Sequence, residues 1–174
     1  TVGATYYFRL FASNANGSNY GTTSSFSLVA APTVTTGSAS TSGTTANLTG
    51  SVNANGDSTT SVRFYYATSL ASIGSATAYV SSSPTSATGA TNTSVTGSIT
   101  GLTAGSTYYY QLRATNSTGT SSGDTGSFTL AAADNTAPTV SISVGSSASK
   151  SASFTATITF SGYVTGFTSS DLLL

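Results

Sequence analysis

Thr5-Tyr6-Tyr7-Phe8-Arg9-Leu10-Phe11-Ala12-Ser13-Asn14 returns about one hundred residues later as Thr107-Tyr108-Tyr109-Tyr110-Gln111-Leu112-Arg113-Ala114-Thr115-Asn116. The match runs on: Gly17, Gly21, Ser25, Phe26 and Leu28 correspond to Gly119, Gly123, Ser127, Phe128 and Leu130, and about half the positions of the block are identical. A period this long is a whole β-sandwich domain rather than a solenoid turn. Residues 1–31 therefore read as the tail of one domain and residues 32–133 as a complete copy. A different pattern begins at 134.

Working outward, period-two alternation marks the strands of the complete copy. Pro32 to Thr36 opens it as an edge strand, where proline is tolerated. Ala46, Leu48, Gly50 and Val52 alternate with Asn47, Thr49 and Ser51. The run Asn53-Ala54-Asn55-Gly56-Asp57 is a turn, with Gly56 free to take positive φ. Val62, Phe64 and Tyr66 share one face, with Arg63 and Tyr65 on the other. A weaker strand covers Thr77 to Val80, and Pro84 opens a loop. Val95, Gly97 and Ile99 follow, then Tyr108, Tyr110, Leu112 and Ala114 against Tyr109, Gln111 and Arg113. Ser127 to Leu130 ends the domain. About seven strands in roughly one hundred residues is the size of an immunoglobulin-like sandwich. No segment has a convincing helical period, so the fold class is all-β, tandem β-sandwiches.

Composition narrows the chemistry. Only 5% of the 174 residues are charged and the net charge is zero, against an ordinary charged share of ~25%. Nothing here draws the chain to nucleic acid or an anionic membrane. Ten Tyr and eight Phe set in alternating segments argue for folding rather than disorder. Cys, His, Met and Trp are absent, which excludes disulfides, thiol nucleophiles and Cys/His zinc sites. Ser/Thr/Gly/Asn richness with almost no Lys or Glu is typical of long secreted bacterial repeat proteins, so the expected location is extracellular, at the cell surface. Neither a signal-peptide pattern nor an apolar run long enough to span a bilayer is seen in these residues, and the chain reads as a window cut from a longer one.

Leu102-Thr103-Ala104-Gly105-Ser106-Thr107-Tyr108 resembles the corner before strand F of fibronectin type III domains. Ala114-Thr115-Asn116-Ser117-Thr118-Gly119 looks like that family's strand-F exit. Gly50-Ser51-Val52-Asn53-Ala54-Asn55-Gly56 is similar to the second strand of fibronectin III-like repeats in large bacterial surface proteins. Ala104 stands where the family often has proline. The resemblance makes residues 1–31 the C-terminal part of one fibronectin III-like domain and 32–133 a complete one. It implies a corner tyrosine at Tyr108, its hydroxyl bonded to nearby backbone, and a spacer or adhesive role without catalytic residues.

Asp134-Asn135-Thr136-Ala137-Pro138-Thr139-Val140 looks like the start of the bacterial immunoglobulin-like repeats of biofilm-type adhesins. Phe154, Ala156, Ile158 and Phe160 alternate as a strand, and Val164-Thr165-Gly166-Phe167 and Ser170-Asp171-Leu172 are similar to that family's next loop and strand. Residues 134–174 would then be the N-terminal part of such a domain. Related adhesins often place calcium at the domain junction, which makes Asp134 the candidate metal ligand. One carboxylate is thin provision for a cation that takes several oxygens, and Gly162 stands where the family often has an acid.

Catalytic chemistry is poorly supplied. The four acids, Asp57, Asp124, Asp134 and Asp171, are far apart in sequence, whereas a glycosidase needs two carboxyls about 5–10 Å apart. Without His there is no Ser-His-Asp triad, and no glycine-rich phosphate loop links a strand to a helix. The lone Lys150 is either a solvated strand-end residue or one half of an isopeptide crosslink. Arg9, Arg63 and Arg113 sit on outward faces beside Tyr7, Tyr65 and Tyr109. They read as ordinary cross-strand pairs found in both copies, with a cation–π or sugar-stacking surface as the sharper reading. Asn16, Asn47, Asn92 and Asn116 head Asn-X-Ser/Thr triplets.

Two functions remain open. One is a structural repeat of a surface filament, sheath or adhesin stalk, with copies of itself as partners and Tyr7, Phe11, Tyr65 and Tyr109 as the interaction surface. The other is a spacer or carbohydrate-binding accessory module of a secreted polysaccharide-degrading enzyme, with a polysaccharide as partner.

Overall fold

The computed structural model describes residues 1–144, 156–162 and 167–168. It is all-β, built from antiparallel sheets, and divides into two compact units, Thr1–Ala133 and Asp134–Leu174. The first unit opens with four short strands, β1 (Thr5–Phe8), β2 (Phe11–Asn14), β3 (Gly17–Tyr20) and β4 (Ser24–Ser27). Next come β5 (Thr33–Ser42), β6 (Thr45–Asn53), β7 (Asp57–Ser58) and β8 (Ser61–Ala67). A short 3-10 helix, Leu70–Ser75, precedes β9 (Tyr79–Ser81), β10 (Thr88–Gly89) and β11 (Asn92–Ile99). The unit closes with β12 (Thr107–Thr115), β13 (Thr120–Ser122) and β14 (Gly126–Thr129).

Strands β11-β6-β5 form one sheet and β13-β12-β8-β9 another, with β14 also on β12. Their inward residues meet in one core. Ala46, Leu48, Val52, Val95 and Ile99 come from the first sheet, and Val62, Phe64, Tyr108, Tyr110, Leu112, Ala114 and Phe128 from the second. These are the alternating positions marked by the sequence. Each large side chain so buried contributes about 1.5–3 kcal/mol. Gly50 and Gly97 keep the same inward parity but must stay small. A Cβ on Gly50 would lie 2.6 Å from Leu112 Cδ2, and one on Gly97 2.6 Å from Phe64 Cδ2.

Three details depart from the pattern. The edge strand expected to stop near Thr36 runs on to Ser42 through a register shift between Thr36 and Ala39. There the chain leans toward the opposite sheet: Tyr110 Oη donates to Gly37 O at 2.7 Å and Leu112 N to Thr36 Oγ1 at 3.1 Å. The weak strand expected at 77–80 is Tyr79–Ser81. The 3-10 turn at Leu70–Ser75 buries only Ile73, too short a segment to show a period.

The first hairpin repeats the last one residue for residue, shifted by 102 positions. Thr5↔Ser27 and Tyr6↔Phe26 pair as Thr107↔Thr129 and Tyr108↔Phe128 do. Phe11↔Tyr20 pairs as Arg113↔Ser122 does. Tyr6 stacks on Phe26 at 5.5 Å and 19°, Tyr108 on Phe128 at 5.6 Å and 20°. Thr103 N donates to Tyr108 Oη at 3.1 Å, the expected corner bond, and Thr1 N donates to Tyr6 Oη in the matching place. The main backbone difference is that β12 is continuous where β1 and β2 are separate. Strand β8 pairs along the second edge of β12 from Tyr109 to Thr115, holding in line the residues that correspond to Arg9 and Leu10.

In the second unit β15 (Val140–Val144) pairs with β16 (Ala156–Phe160), setting Val140 opposite Phe160 and Ile142 opposite Ile158. Phe160 meets Phe167 edge-on at 5.2 Å. Phe154, Val164 to Gly166, Ser170 to Leu172 and Lys150 lie outside the described residues, so the strand alternation expected here is visible at Ala156, Ile158 and Phe160.

Candidate functional site

Two features of the first unit have the character of sites: a joint between the first hairpin and the two-sheet body, and an aromatic–arginine face. The joint is built on asparagines. Asn55, at φ 54, turns the chain after β6 in a conformation that Asn tolerates. Its Nδ2 donates to Ala31 O at 2.7 Å and to Thr33 Oγ1 at 3.0 Å. Asn116 is buried at the end of β12. Its Nδ2 donates to Ala30 O at 2.7 Å and Ala54 O at 3.1 Å, while its Oδ1 accepts from Thr118 N and Gly119 N. The linker backbone is thus gripped from two turns. Asp57 ties those turns together by accepting from Ser117 Oγ at 2.6 Å and Ser117 N at 3.1 Å. The Ser117 hydroxyl, then the Ser58 and Ser117 amides, hold its carboxyl below the usual range. Gly56 is needed for more than its positive φ of 88: a Cβ there would sit 2.7 Å from Gly3 Cα.

The outward face of the β8–β9–β12–β13 sheet carries Arg63, Tyr65, Tyr79, Gln111 and Arg113. Arg63 Cζ lies 4.2 Å from the centre of the Tyr79 ring, Arg113 Cζ 4.4 Å from that of Tyr65, and the two rings are 5.5 Å apart. On the first hairpin Arg9 Cζ stands 3.7 Å over Tyr20, whose ring is 4.8 Å from Phe11. These are not the ring partners read from the sequence, which placed Arg9 by Tyr7, Arg63 by Tyr65 and Arg113 by Tyr109. Each arginine reaches instead to the diagonal neighbour on the adjacent strand: Arg63 faces Ser81 and leans to Tyr79, Arg113 faces Arg63 and leans to Tyr65. Nor is the pattern common to both copies. In the shared register Arg9 corresponds to Gln111 and Phe11 to Arg113. Of the four aromatics marked as an interaction surface, Tyr7 and Phe11 are exposed, whereas Tyr65 and Tyr109 are partly covered.

Asp134 is exposed, and its Oδ1 accepts the Thr136 amide at 2.9 Å. That backbone bond, then the Thr136 side chain, lowers its pKa. The bond is a local turn, the structural role weighed against a calcium ligand. Among the described residues no three acidic side chains come together as a metal site. Asn16, Asn47 and Asn92 are exposed, but Asn116 is buried with its amide engaged, which removes it as a glycosylation acceptor. Among the described residues no helix is long and apolar enough to cross a membrane. The joint was missed in the sequence because its asparagines looked like ordinary turn formers; the signal that could have found them is their place in matching turns beside the 29–33 linker. Compared with known proteins, the chain matches no family model and no curated protein.

Proposed function

We propose that the chain is a structural repeat segment of an extracellular bacterial surface protein, a filament, sheath or adhesin stalk, that works by spacing and self-association. In this reading residues 1–133 belong to tandem fibronectin III-like sandwiches and residues 134–174 begin an immunoglobulin-like repeat. The observation that carries it is the joint: Asn55 and Asn116 hold the linker between two register-matched repeats, as a stiff spacer requires. The strand order also supports it. With β5, β6, β8, β11 and β12 as strands A, B, C, E and F, the sheets are A-B-E and C-F-G, and β9 joins C, close to the immunoglobulin arrangement. The low charge lets neighbouring copies pack without repulsion, and a hydroxyl-rich surface suits an exposed, extracellular setting.

Electron microscopy of the native surface material tests the reading. Filaments with an axial repeat of about 30–40 Å, the length of a nine- or ten-residue strand with its turns, are expected. Isolated flexible particles would move the assignment to a tethered adhesin or to the second reading, an accessory module of a secreted polysaccharide-degrading enzyme. One observation favours that second reading, the tyrosine–arginine face.

A further inference from the structure

Arg113 and Arg63 stand directly opposite one another in the β12–β8 ladder. Facing residues of an antiparallel pair have Cα atoms about 4.5–5.5 Å apart, and like charges so placed repel. β8, β9, β12, β13 and β14 contain no Asp or Glu to offset this, and the acid beside the sheet, Asp124 in the β13–β14 connection, forms no ion pair with either arginine among the described residues. In a chain with only three arginines and one lysine, two uncompensated guanidiniums side by side are a costly arrangement for a mere filler of surface.

The geometry around the pair is ordered. Across the sheet the ladder sets Ser122, Arg113, Arg63 and Ser81 in one row, and Gln111, Tyr65 and Tyr79 in the next row on the same face. At the strand spacing of ~4.8 Å the first row spans about 14 Å. Each guanidinium lies over a tyrosine ring, which limits its motion while leaving in-plane N–H groups to be used. Arg113 engages Gln111 Oε1 through Nε at 3.0 Å and Ile73 O through Nη2. The Arg63 guanidinium makes no hydrogen bond among the described residues. The pair therefore keeps most of its ten N–H donors, in the planar fork that matches a carboxylate or sulfate.

We propose that this face binds an anionic polysaccharide. Its carboxylate or sulfate groups are received by Arg63 and Arg113, and its sugar hydroxyls by Ser81, Ser122 and Gln111. A glycan fits better than an acidic peptide because neutral hydroxyls and aromatic rings flank the charges. The proposal does not depend on the stalk reading: a surface stalk and an enzyme's accessory module would each use such a face.

The test is affinity electrophoresis of the whole 174-residue chain through gels containing polygalacturonate, dextran sulfate, neutral dextran or polyglutamate, with mobility taken against a non-binding reference. Retardation by polygalacturonate or dextran sulfate, and not by neutral dextran, is expected; which of the two retards more separates uronate from sulfate recognition. Arg63→Gln should weaken binding at least tenfold, and since it relieves the Arg63–Arg113 repulsion at the loss of one ring contact, its circular dichroism melt should lie no lower than that of the parent. Arg9→Gln removes the same charge from the first hairpin and should leave binding unchanged. Equal weakening by R63Q and R9Q, equal retardation by polyglutamate, or no retardation by either anionic glycan would each overturn the proposal.

Discussion

Residues 1–28 and 103–130 are the same hairpin in two settings. Their strand registers, corner tyrosines and ring stacks coincide, yet Leu10 is 77% exposed and Leu112 0%, Phe8 58% and Tyr110 3%. Local sequence is enough to define the hairpin: a corner tyrosine, alternating aromatics and glycines at the turns. What it cannot do is bury its own inward face, because a two-stranded ribbon has nothing to pack against. In the second copy β6, β8 and β11 supply that partner surface. Within this chain no described segment does the same for the first.

That contrast can be broken most sharply at its most divergent pair. Leu112→Ala empties a fully buried site and should cost about 2–5 kcal/mol. Leu10→Ala, at the matching exposed position, should change stability by less than about 0.5 kcal/mol. Urea titrations of both variants provide the measurement, and equal losses would mean that the first hairpin's face is covered in solution.

The joint gives the next largest effect. Asn116→Ala strands the carbonyl of Ala30 and the amides of Thr118 and Gly119 and takes one of two donors from the carbonyl of Ala54, and should cost about 1–3 kcal/mol. It should also hasten proteolysis within residues 29–33. Asn14→Ala removes only a local bond to the Asn16 amide and should do neither.

The smallest and most diagnostic change concerns one oxygen. Tyr110→Phe makes the second hairpin resemble the first, where Phe8 stands, and removes the bond to Gly37 O; about 0.5–1.5 kcal/mol is expected to be lost. Burial raises the Tyr110 pKa above its ordinary value near 10. The folded state thus holds the proton more tightly than the unfolded one. This contribution is complete below pH ~10 and is lost as the pH climbs through the raised value. Denaturation curves on either side of that pH should show a steeper alkaline loss in the parent than in Tyr110→Phe; parallel losses would remove Tyr110 from the account.

Much of the body was legible because alternation survives burial. Ala46-Leu48-Gly50-Val52, Val62-Phe64 and Tyr108-Tyr110-Leu112-Ala114 were readable as inward faces since only apolar or small residues can occupy one side of a strand packed on a core. The stretch Gly37 to Ser42 was not, because small polar residues carry no parity and its course is set by Thr49 clamping Ser38 and by Tyr110 reaching Gly37. At the candidate sites, Arg63, Arg113 and Tyr65 were recognisable as outward residues. Their true partners were hidden, since diagonal contacts between strands depend on register and not on sequence spacing.

By itself the sequence determined an all-β chain, a repeated aromatic hairpin, and the absence of the thiol and imidazole side chains that disulfide and Cys/His zinc chemistry need, because these follow from residue identity and period. Only the tertiary structure decided which copy of the hairpin is buried, that two asparagines grip the linker, and that two arginines face each other over tyrosine rings. Those outcomes depend on which strands become neighbours, and a strand's edges are equally ready to pair until the packing of the core chooses between them.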